Sequence, residues 1–167
     1  MKAYFAGGCF WCITPAFRIR GVDRVVSGYS GGREKDPSYE DVKAQKTGHR
    51  ETICVEYDPE FVTYGELLDV FLANVDPFDP DGQYIDRGRS YTLAVYVSSE
   101  EERALAASRI RALEEKAGRK VCVALEPFAG FWEAEEYHQD FDLRHPEELE
   151  REMIESGRKP ERKDRDG

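Results

Sequence analysis

Short apolar runs, each closed by turn-forming residues, divide the first third of the chain. Residues 2–6, 24–29 and 50–57 are apolar or alternate between apolar and polar positions. Ser30-Gly31-Gly32 follows the second run, and Asp58-Pro59 follows the third. Apolar or period-two runs bounded by Gly, Ser, Asp and Pro are typical of β-strands. The pattern therefore predicts three strands before residue 60.

Capping residues mark where the chain changes to helical periodicity. Ser38 and Thr63 each precede an acidic residue by three positions, and such pairs predict helix starts. The helix after Thr63 carries the apolar stripe Leu67, Leu68, Phe71 and Leu72. A serine at 98 or 99 is expected to cap a long charged helix that ends at Gly118. Residues 134–141 and 147–156 are also predicted to be helical.

The second half of the chain completes the fold prediction. Residues 91–97 and 120–125 are predicted strands, and residues 127–132 an aromatic turn. Residues 75–90 form a long loop with few apolar residues, and such a loop in a compact domain is usually functional. Strands and helices alternate without strict βαβ regularity. We therefore expect an α+β, two-layer sandwich: a mixed sheet with packed helices, a ferredoxin-like core and long irregular loops.

Length and composition fit one globular domain. The chain has 167 residues, of which 40% are hydrophobic and 35% are charged, and this is enough for a substantial core. We expect a single domain over residues 1–167, in which the charge-dense stretch 157–167 is a disordered tail. The expected state is a monomer.

Charge and hydropathy exclude several classes of protein. The net charge of −10 argues against nucleic acid as a partner, because phosphate contacts need clustered Lys and Arg. No stretch is long and apolar enough to cross a bilayer, and the first residues lack the basic-then-apolar pattern of a secretory signal. The expected location is the cytoplasm. Four cysteines in such a protein favour a catalytic or redox role for at least one of them.

The stretch Gly7-Gly8-Cys9-Phe10-Trp11-Cys12 is the first candidate for chemistry. It follows a predicted strand and precedes residues that can start a helix. Two glycines permit a sharp turn. A cysteine at such a junction meets unpaired backbone N–H groups and the positive end of a helix dipole, which favour thiolate over thiol. Cys9 is therefore predicted to be a nucleophile.

The remaining cysteines leave alternatives open. The C-x-x-C spacing allows Cys12 to form a local disulfide with Cys9, or to act as its resolving partner. A zinc site would need two more suitably spaced ligands, so no metal is expected. Cys54 and Cys122 lie singly in apolar runs, where core packing is the favoured interpretation.

Phe10 and Trp11 lie between the two cysteines and would give the sulfur an apolar neighbourhood. A pocket of that kind suits a small apolar group such as a methyl, although either residue alone could simply belong to the core. Four further polar residues are ordinary in their local context and gain interest only as a set: Tyr39, Glu51, Asp86 and Tyr91.

The chain resembles the A-type peptide methionine sulfoxide reductases in several motifs. The stretch from Gly7 to Cys12 resembles the signature of that family. The other matching motifs, in the family's order and spacing, are G-Y-S-G-G (28–32), D-P-S-Y-E-D-V (36–42), T-G-H-R-E (47–51), Y-D-P (57–59), D-R-G-R-S-Y (86–91) and A-E-E-Y-H-Q (134–139). The resemblance covers roughly residues 1–145.

The resemblance implies a role for each matching residue. Cys9 resembles the family's nucleophile, and Phe10 and Trp11 resemble the walls that hold the methyl group of the substrate. The other matches are Glu51 with the proton-donating carboxylate, Tyr39 and Tyr91 with the tyrosines whose hydroxyls meet the sulfoxide oxygen, and Asp86 with a carboxylate that orders the pocket.

The implied activity is reduction of methionine-S-sulfoxide, in proteins and as the free amino acid, to methionine. The Cys9 thiolate would attack the sulfoxide sulfur, and the tyrosine hydroxyls would stabilise the oxygen. Burial would raise the pKa of Glu51, so that it could act as an acid. Cys9 would be left as a sulfenic acid that a second thiol resolves. The resemblance implies thioredoxin or another dithiol as the external reductant, and no cofactor.

The chain departs from the family in its cysteines. Many members carry recycling cysteines near the C-terminus, whereas no Cys follows Cys122 in this sequence. Cys12 is therefore the expected resolving residue, with Cys54 a weaker candidate. A cycle with one cysteine and an external thiol is the alternative.

Other positions also differ from the family. Thr14, which is followed by Pro15, stands where the family commonly has Glu. Thr-Pro is a good pair for the N-cap and first turn of a helix, so it would delay the regular helix to about residue 14. Lys43, Ser90 and Thr92 are expected to tune the rim of the pocket.

Two other functions compete with the reductase. One is a C-x-x-C thiol–disulfide oxidoreductase, which would not need Glu51 or the two tyrosines. The other is a module that binds oxidised methionine without turnover, which only the missing C-terminal cysteines support. His49 and His138 are expected to make structural hydrogen bonds, at the turn before Glu51 and in the C-terminal segment respectively.

Overall fold

The computed structural model describes residues 1–159, in which eight strands form two sheets. The strands of the main sheet are β1 (Lys2–Gly7), β2 (Val22–Ser30), β3 (Arg50–Tyr57), β6 (Leu93–Val97), β7 (Val123–Pro127) and β8 (Trp132–Glu133). Their order across the sheet is β7-β6-β1-β3-β2-β8. A small hairpin is formed by β4 (Gly82–Gln83) and β5 (Asp86–Arg87).

The helices are mostly short. They are α1 (Phe10–Ile13), α2 (Tyr39–Lys43), α3 (Tyr64–Ala73), α4 (Glu100–Ala117), α5 (Phe141–Arg144) and α6 (Pro146–Glu155). Three single 3-10 turns add Thr14–Phe17, Arg89–Tyr91 and Glu136–His138.

Four strands form the ferredoxin-like core that was predicted. The order β6-β1-β3-β2 is antiparallel throughout, and β7 adds to β6 in parallel, so the sheet is mixed. The long helix α4 makes the parallel crossover between β6 and β7. The predicted α+β architecture is therefore confirmed.

The main core lies between one face of the sheet and the helices. Alternate strand residues such as Phe5, Ile53 and Val95 point to this face, where they meet Leu67 and Phe71 of α3. Phe5 stacks on Phe71 with ring centroids 5.1 Å apart. The period-two alternation of β1 and the 3.6-residue stripe of α3 thus bury their apolar residues against each other.

The predicted helix caps are present. Ser38, Thr63 and Ser99 each accept a hydrogen bond from the backbone N–H three residues on, at Asp41, Glu66 and Glu102 respectively. Gly118 ends α4 in the left-handed conformation, with φ of 67°. β3 covers 50–57 as predicted, because Asp58-Pro59 cannot extend the ladder.

Three predictions about local structure were wrong. Residues 134–141 do not form a helix, because Gln139 bonds to the backbone of Ser27 on β2 and Asp140 has φ of 52°. Thr14 does not begin a helix: α1 begins at Phe10, and the Thr14 hydroxyl donates back to the Phe10 carbonyl at 2.6 Å.

The predicted tail from residue 157 was wrong for its first three residues. Residues 157–159 dock against the body, where Arg158 donates to the carbonyl of Gly7 and Lys159 N–H donates to the carbonyl of Met153. The rest of that prediction, 160–167, lies outside the described residues.

Candidate active site

The turn after β1 sets the position of Cys9. Gly8 has φ of +84°, and a Cβ there would lie 2.9 Å from the side chain of Gln83, so only glycine fits. Cys9 is the N-cap of α1, and its carbonyl accepts from the N–H of Cys12 at 3.0 Å. The sulfur therefore lies where β1, the short helix and the 82–87 hairpin meet.

The prediction of a resting Cys9 thiolate is not supported by the site. The pKa of Cys9 is raised well above its ordinary value, first by a hydrogen bond with the Cys12 side chain, then by burial and by the charges of Cys12 and Asp86. The backbone N–H of Trp11 acts in the opposite direction. A helix of four residues supplies too small a dipole to outweigh these effects. Cys9 is a thiol at rest.

Glu51 is a buried carboxyl group beside Cys9. It lies near the start of β3 with 1% of its surface exposed, and its Oε1 accepts from the Phe10 N–H at 3.1 Å. Burial raises its pKa well above the ordinary value, and the neighbouring Cys9 and Asp86 act in the same direction. Glu51 therefore keeps its proton to higher pH than an exposed carboxyl group would.

Two tyrosines and one aspartate complete the polar wall. Tyr39 begins α2, Tyr91 lies in the 3-10 turn before β6, and Asp86 lies on β5. Burial raises the pKa of Tyr39, with Glu51 next in effect, and raises the pKa of Tyr91 in the same way. Both hydroxyls therefore stay protonated and can donate hydrogen bonds. Burial also raises the pKa of Asp86, against the opposing charges of Arg158 and Lys43.

The two aromatic residues of the motif are held differently. Phe10 is 1% exposed and packs within the core beside Tyr29 and Tyr39. Trp11 is half-buried, and its ring stacks on Phe141 of α5 with centroids 3.9 Å apart and an interplanar angle of 5°. Phe10 thus belongs to the core and also lines the cavity, whereas Trp11 forms a wall of the cavity that Phe141 supports from one side.

His138 holds the indole of Trp11. Its Nδ1 accepts from Trp11 Nε1 at 3.1 Å, so its ring proton lies on Nε2, which has no hydrogen-bond partner among residues 1–159. Burial lowers the pKa of His138 to about 4, and this keeps the ring neutral and Nδ1 free to accept. The expected structural hydrogen bond of His138 therefore acts on the site itself. His49 bonds to Gly32 and Glu34 at the turn before Glu51, as expected.

One cavity of about 300 Å³ brings the candidate residues together. It is lined by Cys9, Phe10, Trp11, Cys12, Tyr39, Glu51, Asp86 and Tyr91, all of which were singled out from the sequence. Lys43, which was expected at the rim, also lines the cavity. No motif indicated the four further lining residues: Ile85, Glu148, Glu152 and Ser156. The last three show that α6 and the residue after it close one side.

The cysteines are free, and they lie in different environments. Cys12 is buried against Phe141 and Leu149, in contact with Cys9. Cys54 is buried, and burial raises its pKa to about 11, which fits the expected core role. Cys122 is half-exposed and precedes β7, so the expectation of core packing was wrong for it.

The positions that differ from the family pattern lie at unequal distances from the cavity. Lys43 lines it, with Nζ 5.7 Å from the centroid of the Tyr39 ring. The hydroxyl of Ser90 accepts from Gln45 at 2.7 Å, and that of Thr92 accepts from Arg50 at 2.8 Å. Ser90 and Thr92 therefore support neighbouring residues.

Within residues 1–159, no group of three or more His, Cys, Asp or Glu side chains could hold a metal ion. No helix in that range has the length and hydropathy needed to span a membrane.

Known proteins resemble this chain over most of its length. MsrA of Halalkalibacterium halodurans is 42% identical over 160 residues, which cover 94% of this chain and 91% of the relative. MsrA 2 of Rhizobium meliloti is 46% identical over 146 residues, covering 86% of this chain and 72% of the relative.

Among solved structures, Mxr1 of Saccharomyces cerevisiae in reduced form has a TM-score of 0.83 at 29% identity, and the match covers 88% of this chain and 86% of that one. Mxr1 in complex with Trx2 matches at a TM-score of 0.57 and 21% identity over 83% of each chain, a likeness of fold alone. The sequence model of the family described as peptide methionine sulfoxide reductase matches residues 1–166. The chain belongs to the peptide methionine sulfoxide reductase family.

Proposed function

We propose that this protein reduces methionine-S-sulfoxide, in proteins and as the free amino acid, to methionine. The observation that carries the proposal is the burial of Glu51, whose pKa burial raises, in the cavity that also holds the Cys9 thiol and two tyrosine hydroxyls. A plain thiol–disulfide oxidoreductase would have no use for a buried acid and two phenol donors at its cysteine.

The first chemical step moves oxygen from the substrate to Cys9. The Cys9 sulfur attacks the sulfoxide sulfur, while Glu51 gives its proton to the sulfoxide oxygen and regains the proton that Cys9 loses. Tyr39 and Tyr91 donate hydrogen bonds to that oxygen as negative charge develops on it. The attack joins the Cys9 sulfur to the substrate sulfur. The protonated oxygen then passes from the substrate sulfur to the Cys9 sulfur as this sulfur–sulfur bond breaks, so methionine leaves and Cys9, oxidised by two electrons, is a sulfenic acid.

The same walls determine which epimer reacts. Phe10 and Trp11 form the apolar side that takes the methyl group, and Glu51 and the tyrosines form the polar side that takes the oxygen. With methyl and oxygen both fixed, only one handedness at sulfur directs the sulfur toward Cys9. The resemblance to A-type enzymes identifies that epimer as S.

Cys12 then resolves the sulfenic acid. Its side chain already hydrogen-bonds to Cys9, and attack of its thiol on the sulfenic sulfur releases water and forms a disulfide. A dithiol reductant must supply two electrons and two protons to restore the pair, and thioredoxin is the reductant we propose. No cofactor enters this cycle. We also propose that residues 1–167 act as one reductase domain in the cytoplasm.

The test is single-turnover reduction of each epimer separately, with free thiols counted by mass spectrometry. We expect one methionine per enzyme from the S epimer, none from the R epimer, and the loss of the thiols of Cys9 and Cys12. Thioredoxin and its reductase should then allow many turnovers. Absence of methionine from both epimers, with disulfide exchange intact, would leave the thiol–disulfide oxidoreductase. Tight binding of the sulfoxide without methionine would leave the binding module.

A further inference from the structure

The loop that carries Cys9 is attached to the C-terminal segment through one side chain. Arg158 Nη2 donates to the carbonyl of Gly7 at 2.6 Å, across 151 residues of sequence. Gly7 is the last residue of β1 and pairs with Leu93 of β6. Its carbonyl lies two residues before the nucleophile, so Arg158 fixes the point from which the Gly8 turn departs.

The same guanidinium reaches two other elements. Nη1 lies 3.4 Å from the carbonyl of Asn74, where α3 ends, and the guanidinium carbon lies 5.2 Å from the ring centroid of Tyr84 in the β4–β5 hairpin. A planar group with several donors can hold such separate acceptors at fixed angles, which an ammonium group cannot. Arg158 therefore ties the nucleophile turn, α3 and the hairpin together.

The hairpin carries Asp86, which lines the same cavity as Cys9. The charge of Arg158 lowers the pKa of Asp86, against the effect of burial. Arg158 leaves no room for a side chain at residue 8, because a Cβ on Gly8 would lie 2.6 Å from Arg158 Nη2. Arg158 is half-buried, and it is not among the described residues that line the cavity.

We propose that Arg158 is a positioning residue for the reductase reaction: it holds the Gly7–Gly8 turn and the 82–87 hairpin in register, and thereby fixes Cys9 and Asp86 relative to each other in the cavity. This inference rests on the proposed function. Because the residue acts on the alignment of the reacting groups and not on the substrate, its loss should lower the rate of the chemical step more than the affinity for sulfoxide.

The test uses single-turnover kinetics of the full chain at several concentrations of the S epimer. In R158Q we expect the maximal rate constant to fall about tenfold, with half-saturation changed by less than about twofold. R158K keeps the charge but replaces the planar fork of donors by a single ammonium group, so its rate constant should lie between those of R158Q and the wild type. The matched control is R151Q, at an exposed arginine of α6.

The amplitude of the single-turnover reaction distinguishes a loss of positioning from a loss of folded enzyme. A variant that merely folds poorly would lose amplitude, because fewer molecules are active, while the remainder would react at the wild-type rate constant. A wild-type rate constant in R158Q, or an equal fall in R151Q, would overturn the inference. Failure of the wild type to form methionine would instead defeat the proposed function.

Discussion

The backbone N–H of Phe10 donates a 3.1 Å hydrogen bond to Oε1 of Glu51, joining the first residue of α1 to the second residue of β3. One carboxyl oxygen is thus occupied by the helix that carries the nucleophile. The proton of Glu51 can then lie on the other oxygen, and this makes the residue an oriented acid.

Glu51→Gln keeps the acceptor for Phe10 and removes the proton donor. We expect the single-turnover rate to fall by about 10²–10³-fold, with folding intact, because general acid catalysis contributes effects of this size. Glu56→Gln, on the same strand and paired with Arg24 at the surface, is the matched control. An E51Q rate within about threefold of the wild type would remove Glu51 from the chemistry.

The raised pKa of Glu51 gives the wild-type rate a pH dependence of known sign. The active form is the protonated acid, so the rate should be highest below the pKa of Glu51 and should fall as pH rises through it. Pre-steady-state rates from pH 5 to 9 would measure this, and E51Q should lose the dependence. A wild-type rate that rises with pH over the whole range would indicate that ionisation of Cys9 limits the step.

Cys12→Ser tests the resolving thiol. We expect C12S to form one methionine per enzyme at a rate near that of the wild type and to stop there, with Cys9 trapped as a sulfenic acid that a dimedone probe labels. Turnover with thioredoxin should be lost. Cys54→Ser, which removes the other buried thiol, should behave like the wild type. Full thioredoxin-dependent turnover in C12S would instead favour direct reduction by an external thiol.

His138 should make the free energy of unfolding depend on pH in the acidic range. Folding lowers the pKa of His138 from about 6.5 to about 4, because burial disfavours the charged ring. The unfolded chain therefore binds a proton more readily between these two values, so the contribution of His138 to the free energy of unfolding is complete above pH 6.5 and is lost as pH falls toward 4. The size is on the order of 3 kcal/mol. Urea unfolding at pH 7.5 and pH 4.5 should show a smaller loss of stability in His138→Gln than in the wild type. Equal losses would contradict the assignment.

Arg50 should be a stability residue despite its place beside Glu51. It is 4% exposed and donates hydrogen bonds to Thr92, to Tyr96 of β6 and to Glu126 of β7. These bonds join β3 to β6 and β7. We expect Arg50→Met to lower the free energy of unfolding by about 2–4 kcal/mol, because the buried Tyr96 hydroxyl and the half-buried Thr92 hydroxyl lose their donor. Glu126→Gln, at a half-exposed partner, should cost less. Urea denaturation checks both variants.

Local signals were sufficient for the elements whose ends are set by their own residues. The hydroxyls of Thr63 and Ser99 bond to N–H groups three residues away, so the sequence alone contains both partners. The ladder of β3 ends at a proline for an equally local reason. The strands and capped helices could therefore be predicted, and with them the fold class.

Distant partners decided what could not be predicted. Residues 134–141 have a helical composition, but Gln139 exchanges two hydrogen bonds with the backbone of Ser27, 112 residues away, and this draws the segment along β2. The state of the Cys9 thiol depends on the Cys12 contact and on burial, which outweigh a dipole that the motif alone suggested. Residues 147–156 were predicted to be helical, but nothing local indicated that this helix would close the cavity of Cys9.

Trp11, two residues after the nucleophile, leaves the ribosome before the ring that holds it, because His138 follows 127 residues later. Until His138 has emerged, a nascent chain has the nucleophile without the finished wall. The reactive pocket therefore forms only after His138 has been synthesised, and until then the growing chain carries Cys9 without its finished surroundings.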